Sequence, residues 1–362
     1  MSYPRVAVVI LNYNGRSHLE EYLPSVLAST YPNAVLYVAD NGSQDSSVAW
    51  LREQGFVDLR PVEQAQGLSK ERQLLCLDQN YGFAEGYNRA LAQIKDAEYF
   101  ILLNSDVAVS AGWIEPLVAL LEAKPKAAAV QPKILWQRKK EYFEHAGAAG
   151  GYLDGLGYPF CRGRIFEHLE QDQGQYNDEQ EIFWASGAAF CVRAPLFAAF
   201  GGFDAAYFAH MEEIDLCWRW KRAGYEIWYQ GSSSVWHLGG GTLAVEHPRK
   251  TYLNFRNSLC TLYKNEGGLS CFFKVFARLL LDGLAGLRFL SQGKWGNLWA
   301  IIRAHWAFFA WLPQLYGQKK RLLADLERLR IGSANKVGHW SGSLVWAHFF
   351  RGKKTIGDLG LK

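Results

Sequence analysis

At 362 residues, with 49% hydrophobic and 20% charged residues, the chain is long enough for two domains and is folded, not disordered. Its six cysteines (Cys76, Cys161, Cys191, Cys217, Cys260, Cys271) are scattered without CxxC spacing, which argues against a cysteine metal cluster or a disulfide framework and for reduced thiols in a cytosolic setting. The net charge of +4 hides a split: from Thr251 onward 17 Lys and Arg stand against 5 acidic residues, whereas residues 1–250 hold 22 basic against 30 acidic. That asymmetry predicts one part for chemistry and another that meets a negatively charged surface.

The N-terminus, MSYPRVAVVILNYNG, enters a strand at once and lacks a signal peptide's apolar region and cleavage site. Residues 5–11 (RVAVVIL) read as a buried parallel strand that ends in the turn Asn12-Tyr13-Asn14-Gly15. A helix is expected over His18–Ser29, a strand over Ala34–Ala39 ending in Asp40-Asn41-Gly42-Ser43, and a helix from about Asp45 to Gln54. Leu74–Leu77 gives a third strand, and NYGFAEGYN (80–88) opens a helix running to about Ile94. The glycines of that segment do not match GxGxxG and follow the third strand, which weighs against a nicotinamide-binding domain.

Tyr99–Val107 (YFILLNSDV) is a short apolar strand that stops at Asn104, Ser105 and Asp106. A carboxylate at a strand's carboxyl end suits a hard cation such as Mg²⁺ or Mn²⁺, which shares oxygen ligands with a substrate phosphate. An isolated Asn-Ser-Asp would be read as an ordinary turn. Here three strands end in polar clusters (NYN, DNGS and NSD), and in a doubly wound, mostly parallel α/β sheet such loop tips line one crevice.

Residues 126–136 continue the sheet, 137–180 read as an irregular insertion, loop or hairpin, and Ile182–Val192 as one strand. A helix over Glu213–Ala223, closed by Gly224, carries Glu212, Glu213 and Asp215 at its head. Acids there are favoured by the helix dipole, and the same field is expected to keep them ionised, as a general base requires. Strands at Glu226–Gln230 and Ser234–Trp236 lead to His237 and a glycine run; a lone histidine is usually a polar surface residue, but one in this position can instead act as a ligand from a flexible lid.

In that order, VVILNYNG, VADNGSQDSS, NYGFAEGYN, LLNSDV, GGFD…EEIDLCWRWKRAGY and VWHLGGG resemble glycosyltransferase family 2 with the GT-A fold, nearest to bacterial rhamnosyltransferase-like enzymes, over about residues 4–260. The resemblance implies that Asp40 binds the nucleobase or ribose of a nucleotide-sugar, with Tyr13 and the backbone near Leu11 beside it and Asn88 close by. It implies that Asp106 holds the metal, with Asn104 and Ser105 at the preceding positions of the family's DxD motif. His237 would complete the metal–diphosphate site and Glu213 would be the catalytic base. Two positions depart from the family pattern: Asn104 replaces an aspartate, and Glu213 stands where aspartate is usual, so Glu212 and Asp215 stay in play. The QxxRW motif of processive synthases is absent.

From these readings follow a catalytic part over 1–260 and a basic, aromatic-rich amphipathic helical region over 261–362. Within the latter, Lys274, Arg278 and Asp282 form one polar stripe on an apolar helix, and Leu298–Leu312 is more apolar but ends at Pro313, too short to cross a bilayer. Gln318–Arg330 is a basic amphipathic helix. The expected partners are a UDP-, dTDP- or GDP-sugar, a glycan or lipid-linked acceptor, and the cytoplasmic face of the plasma membrane. The alternative for the helices is packing on the catalytic part and a homodimer interface; interleaved aromatics argue against nucleic acid. The reaction expected is inverting, metal-dependent, non-processive sugar transfer. Its competitors are a non-catalytic sugar-nucleotide-binding scaffold and a GT-A-like nucleotidyltransferase, which would need a basic Gly-rich loop after the first strand.

Overall fold

A computed structural model describes residues 3–59, 72–145, 147–239 and 247–361. The first half alternates strand and helix: β1 (Val6–Asn12), α1 (Arg16–Leu27), β2 (Ala34–Asp40), α2 (Ser47–Glu53), β3 (Phe56–Asp58), β4 (Arg72–Cys76), α3 (Gly82–Leu91), β5 (Tyr99–Asn104), β6 (Val107–Val109) and α4 (Ile114–Ala123). Next come β7 (Ala127–Trp136), β8 (Lys139–Phe143), β9 (Gly151–Leu153), β10 (Pro159–Cys161), β11 (Arg164–Ile165), β12 (His168–Leu169), β13 (Glu179–Ile182) and β14 (Ala189–Arg193). The rest is α5 (Ala194–Ala199), α6 (Glu212–Arg222), β15 (Glu226–His237), α7 (Pro248–Asn265), α8 (Gly268–Ser291), α9 (Trp295–Leu329) and α10 (Leu344–Phe349).

The main sheet runs β13-β15-β7-β14-β5-β1-β2-β4-β3, with β6 added to β15 and β8 to β7. Its heart, β5-β1-β2-β4-β3, is parallel. Alternation along β1 sorts the core: Val6, Val8 and Ile10 pack with Leu19 and Leu23 of α1 and Leu117 of α4, while Ala7 and Val9 pack with Ala84 and Tyr87 of α3. Apolar residues on both faces explain why the strand is a continuous hydrophobic run.

Several boundaries differ from the sequence reading. The strand β3 was not expected, being three residues long with two of them exposed. The run 182–192 is not one strand: β13 ends at Ile182, residues 183–188 turn, and β14 pairs antiparallel between β5 and β7. Conversely, 226–237 is a single strand that keeps its parallel pairing with β7 across a register shift between Gln230 and Ser234. The irregular insertion contains β8 and a small four-stranded sheet, β12-β11-β10-β9.

The largest correction concerns Pro313, which lies inside α9 and does not end it. The missing N–H costs a helix several kcal/mol in isolation. Here Ala300, Ile301, Ala304, Phe308, Leu315, Leu322 and Leu326 form a buried stripe on both sides of the proline, and tertiary packing carries the helix across it. No helix among the described residues is long and apolar enough to cross a membrane. The expected boundary at 260/261 falls within α7, and Phe308, Leu315 and Leu322 of α9 join the same core as the sheet.

Where α6 and α7 meet, Asp215, fully buried, is met by Arg219 Nε at 3.0 Å, Lys264 Nζ at 3.0 Å and Asn265 Nδ2 at 2.9 Å. Lys264 also reaches Asp204 at 2.7 Å and holds its carboxyl below the ordinary range against the effect of burial. Lys264→Met should therefore destabilise the fold by about 3–5 kcal/mol, read as a lower urea midpoint, because two buried carboxylates lose a shared cation.

Candidate active site

The carboxyl edge of the sheet is a single rung. Because β1, β2 and β5 run parallel and end together, register sets Asn12 beside Asp40 and Leu11 beside Asn104. The loop tips then bond directly: Asn12 Nδ2 donates to Asp40 Oδ2 at 3.0 Å and to Ser43 Oγ at 3.2 Å, and the Ser43 amide donates to Asp40 Oδ1 at 2.8 Å. Asn41 ties the second loop to the next, donating to Asn80 Oδ1 at 3.2 Å and to the Gly82 carbonyl at 2.9 Å. Gly15 lets the first loop close on the Asn104–Asp106 turn, since a Cβ there would lie 2.5 Å from Asn12 Oδ1 and 3.5 Å from Ser105 Oγ. Tyr13 stands exposed at the tip, Leu11 is half-buried, and Asp40 is buried.

His237 reaches this edge through β15. The antiparallel pairing of β15 with β6 sets His237 opposite Val107, and the Leu238 amide donates to the Asp106 carbonyl at 3.0 Å. The imidazole Nε2 lies 3.2 Å from Asp106 Oδ1 and 3.4 Å from Asn104 Nδ2, while Nδ1 lies 3.2 Å from Glu144 Oε2. Burial alone would depress the imidazolium, but the Asp106 and Glu144 carboxylates outweigh it and hold its pKa at about 10. Protonated, the ring donates through both nitrogens, to Asp106 and to Glu144; a cation taking Nε2 as ligand would displace the proton there and leave Nδ1–H donating to Glu144. The same contact keeps the Asp106 carboxyl below its usual range although burial acts the other way.

Among the described residues no group of three or more His, Cys, Asp and Glu forms a ready metal cage. Asp106 and His237 supply two donors at the end of a buried strand, and the Glu144 carboxylate fixes the ring from behind. That donor set fits a divalent cation whose remaining ligands are water and phosphate oxygens.

Glu213 approaches from the far side of the same rung. The Asn104 amide donates to the Ala188 carbonyl at 3.0 Å. Next to Ala188 is Gly187, whose added Cβ would lie 4.0 Å from the Glu213 carboxyl carbon and 3.1 Å from the Phe83 ring. Glu213 Oε2 and Glu212 Oε2 are buried without hydrogen-bond partners. Burial raises the Glu213 pKa to about 7, opposed by the backbone N–H groups of Glu213, Ile214 and Gly187. Glu212, buried beside the Glu213 charge, is raised well above the ordinary range. The expectation that the helix field keeps all three acids ionised is therefore overturned for Glu212, because a dipole contribution of about 0.3–1 kcal/mol cannot offset desolvation of this size. Asp215 is engaged by Arg219, Lys264 and Asn265, which removes it from contention as a base.

The turn before α6 is strained. Phe208, His210 and Met211 all have positive φ (65°, 71° and 76°), and Met211 caps the helix without a side-chain bond. Asn257 of α7 holds this turn, donating to the carbonyls of Tyr207, Ala209 and His210 at 3.1, 2.9 and 2.7 Å. The Asn88 amide is engaged at both ends by the Phe203 backbone, each at 2.9 Å, so its observed contacts steady the chain leading into that turn. The glycine run expected as a lid starts at Gly239, and Gly240 and Gly241 lie outside the described residues.

Sequence reasoning missed Glu144, Asn12 and Asn257. Glu144 sits in the stretch read as irregular, 93 residues from the histidine it supports, and nothing local marks it. Asn12 was legible, as the first residue of the NYN cluster, and its Oδ1 is buried without a partner.

A doubly wound sheet with an acid–histidine pair at its carboxyl edge, faced by a carboxylate at a helix start, defines the chain as a GT-A glycosyltransferase in fold. The structure resembles that of GalNAc-T7 with UDP, GalNAc and Mn2+ (TM-score 0.51, 16% identity), covering 72% of this chain and 48% of that one, so it spans about half of that protein. It equally resembles S. aureus TarS 1-349 (TM-score 0.51, 13% identity, 90% of each chain). In sequence, residues 4–258 match the model of Glycosyltransferase like family 2, and the chain belongs to that family. Its relatives include the N-acetylglucosaminyl-diphospho-decaprenol L-rhamnosyltransferase of Mycobacterium tuberculosis, 30% identical over 248 residues (64% of this chain, 75% of the relative). Rhamnosyltransferase WbbL of Escherichia coli K12 is 26% identical over 155 residues (41% of this chain, 58% of the relative).

A carboxyl whose folded pKa is raised is most compatible with folding below its unfolded value, and stability is lost as pH rises from about 4.5 to about 7. Glu213→Gln removes that loss. The variant should match wild type near pH 4 and exceed it by on the order of 2 kcal/mol at pH 8 in urea titrations.

Proposed function

We propose that the protein is an inverting, metal-dependent, non-processive glycosyltransferase that moves a sugar, rhamnose being favoured by its relatives, from a nucleotide-sugar to a hydroxyl of a lipid-linked or cell-surface glycan. The observation that carries this reading is the unpartnered, buried Glu213 Oε2, on a carboxyl beside Gly187, the neighbour of the Ala188 carbonyl that the Asn104 amide binds. Asp40, Tyr13 and the Leu11 backbone take the nucleoside, with Ser105 at the turn over Gly15. Asp106 and His237, with Asn104 beside them, hold a Mg²⁺ or Mn²⁺ ion, which when bound offsets the charge developing on the leaving diphosphate.

Glu213 takes the proton from the acceptor hydroxyl. A pKa of about 7 suits that role: the carboxylate is available at neutral pH and still basic enough to draw the proton. Glu212, kept protonated by burial, spares the site a second negative charge beside the base. Attack from the face opposite the diphosphate inverts the anomeric centre, and no second carboxylate is needed as acid. Residues 1–260 carry this chemistry, and 261–362 keep the enzyme at the inner face of the plasma membrane, where a lipid-linked acceptor is presented. The M. tuberculosis relative's name specifies such an acceptor.

The test is a thermal-shift screen with UDP, dTDP and GDP, with and without Mn²⁺ or Mg²⁺, followed by donor hydrolysis and transfer. Asp106→Ala is expected to lose the metal-dependent part of nucleotide binding. Glu213→Gln should retain it while turnover falls roughly 10²–10⁴-fold, and the wild-type rate should rise with pH through about 7. Wild type and both variants being equally inert with every donor would return the chain to a sugar-nucleotide-binding scaffold.

A further inference from the structure

Helix α8 is inside out. Its charged stripe faces the protein: Arg278 and Asp282 are 2% and 1% exposed. Arg278 donates to Ser258 Oγ at 2.6 Å and to the carbonyls of Leu156 and Gly157 at 3.3 Å, and its guanidinium stacks 3.6 Å over the Tyr158 ring. Asp282 receives the Tyr158 hydroxyl at 3.2 Å and the His305 ring of α9 at 3.2 Å, while Lys274 pairs with Glu266. What α8 turns outward instead is Phe273, Phe276, Leu280, Leu284 and Leu287, spaced three or four apart along one face, with Phe272 beside them; each is more than half exposed.

The pattern extends beyond one helix. On α9, Trp295, Trp299 and Trp306 are 60–73% exposed, and on α10 and at its end Trp346, Phe349 and Phe350 are 51–67% exposed. Arg288 of α8 lies 5.6 Å over the Phe349 ring, joining α8 to α10. Scattered surface leucines need no explanation, but a contiguous face of aromatics and leucines does.

Charge selects what covers this face. Between Gly268 and Ala324 the single acid is Asp282, which is buried, whereas Arg288, Arg303 and Lys320 are exposed; Arg321 and Asp325 line a separate cavity beside Asp204 and Lys264. A second copy would oppose like charges across the contact. An anionic leaflet offers hydrocarbon for the Phe and Leu side chains, an interfacial layer for Trp and phosphates for the guanidinium groups.

We propose that the outward face of α8, α9 and α10 docks onto an anionic phospholipid surface, with α8 lying in the plane of the interface and its ionic network turned toward the protein. This deepens the peripheral location proposed above and rests on that reading for the choice of leaflet, not for the existence of the surface. Arg278 also holds the β9–β10 loop and Ser258 of α7, the helix whose Asn257 clamps the turn in front of Glu213, so one chain of contacts runs from this face to the site.

The experiment is flotation of the full chain with vesicles of phosphatidylcholine alone and mixed with phosphatidylglycerol, at low and high salt, beside sedimentation velocity without lipid. The wild type should float with the anionic vesicles and sediment as a monomer. Phe273→Glu/Phe276→Glu, with unchanged circular dichroism, should lose partitioning by roughly a hundred-fold. Arg288→Gln/Arg303→Gln should lose roughly five-fold per charge and most of the salt dependence. Absence of wild-type flotation at low salt, or equal flotation of the Phe variant, would overturn the proposal. A lipid-free dimer dissolved by the Phe substitutions would hand the face to a second copy and overturn it too. Flotation without any nucleotide-dependent thermal shift would leave docking standing and remove the catalytic reading, so the two fail separately.

Discussion

The site depends on one strand pairing. β15 runs parallel to β7 through the sheet and, at its far end, pairs antiparallel with the three-residue β6. Only that last pairing carries His237 to Asp106, 131 positions earlier in the chain, and without it the sheet edge would hold a carboxylate with no nitrogen donor beside it. The register shift between Gln230 and Ser234 is part of this arrangement: the strand changes register on β7 before it meets β6. Glu144, arriving from the end of β8, then fixes the ring from behind.

Burial, not the helix dipole, sets the protonation of the two acids at the head of α6. Burial raises both carboxyls, and an exposed-helix contribution is too small to offset it; Glu213 rises to about 7 and Glu212 well above the ordinary range. The outcome differs between neighbours because Glu213 faces three backbone N–H groups, while Glu212 has less to oppose its burial and the charge of Glu213 beside it. The strained turn from Phe208 to Met211 aims the pair, and α7 holds that strain through Asn257. Strain of this kind costs about 1–3 kcal/mol per residue and persists only where surrounding contacts over-determine it.

Helix α8 inverts the usual logic of an amphipathic helix, while α9 buries its apolar stripe. Hydropathy alone shows a polar stripe and an apolar remainder on α8, and either side could be the buried one. In the fold the narrow stripe is buried, because Arg278 and Asp282 find Ser258, Tyr158, His305 and two carbonyls as partners, which offsets their desolvation. The broad apolar side is left outside.

The sequence by itself determined β1, α1, β2, α2, β4 and α3, the polar termini of β1, β2 and β5, and the family, since each is written in neighbouring residues: a run of β-branched side chains, a turn, a short motif. Tertiary structure alone decided that 182–192 is two strands and that Pro313 lies within a helix. It also decided that Asp215 is held in a structural network and that Glu144 supports His237. In every one of these cases the deciding partner is distant in the chain: β5 and β7 for the broken strand, the packed stripe for the proline, Lys264 for the aspartate. Local pattern records propensity, and long-range packing overrules it where burial energy is larger.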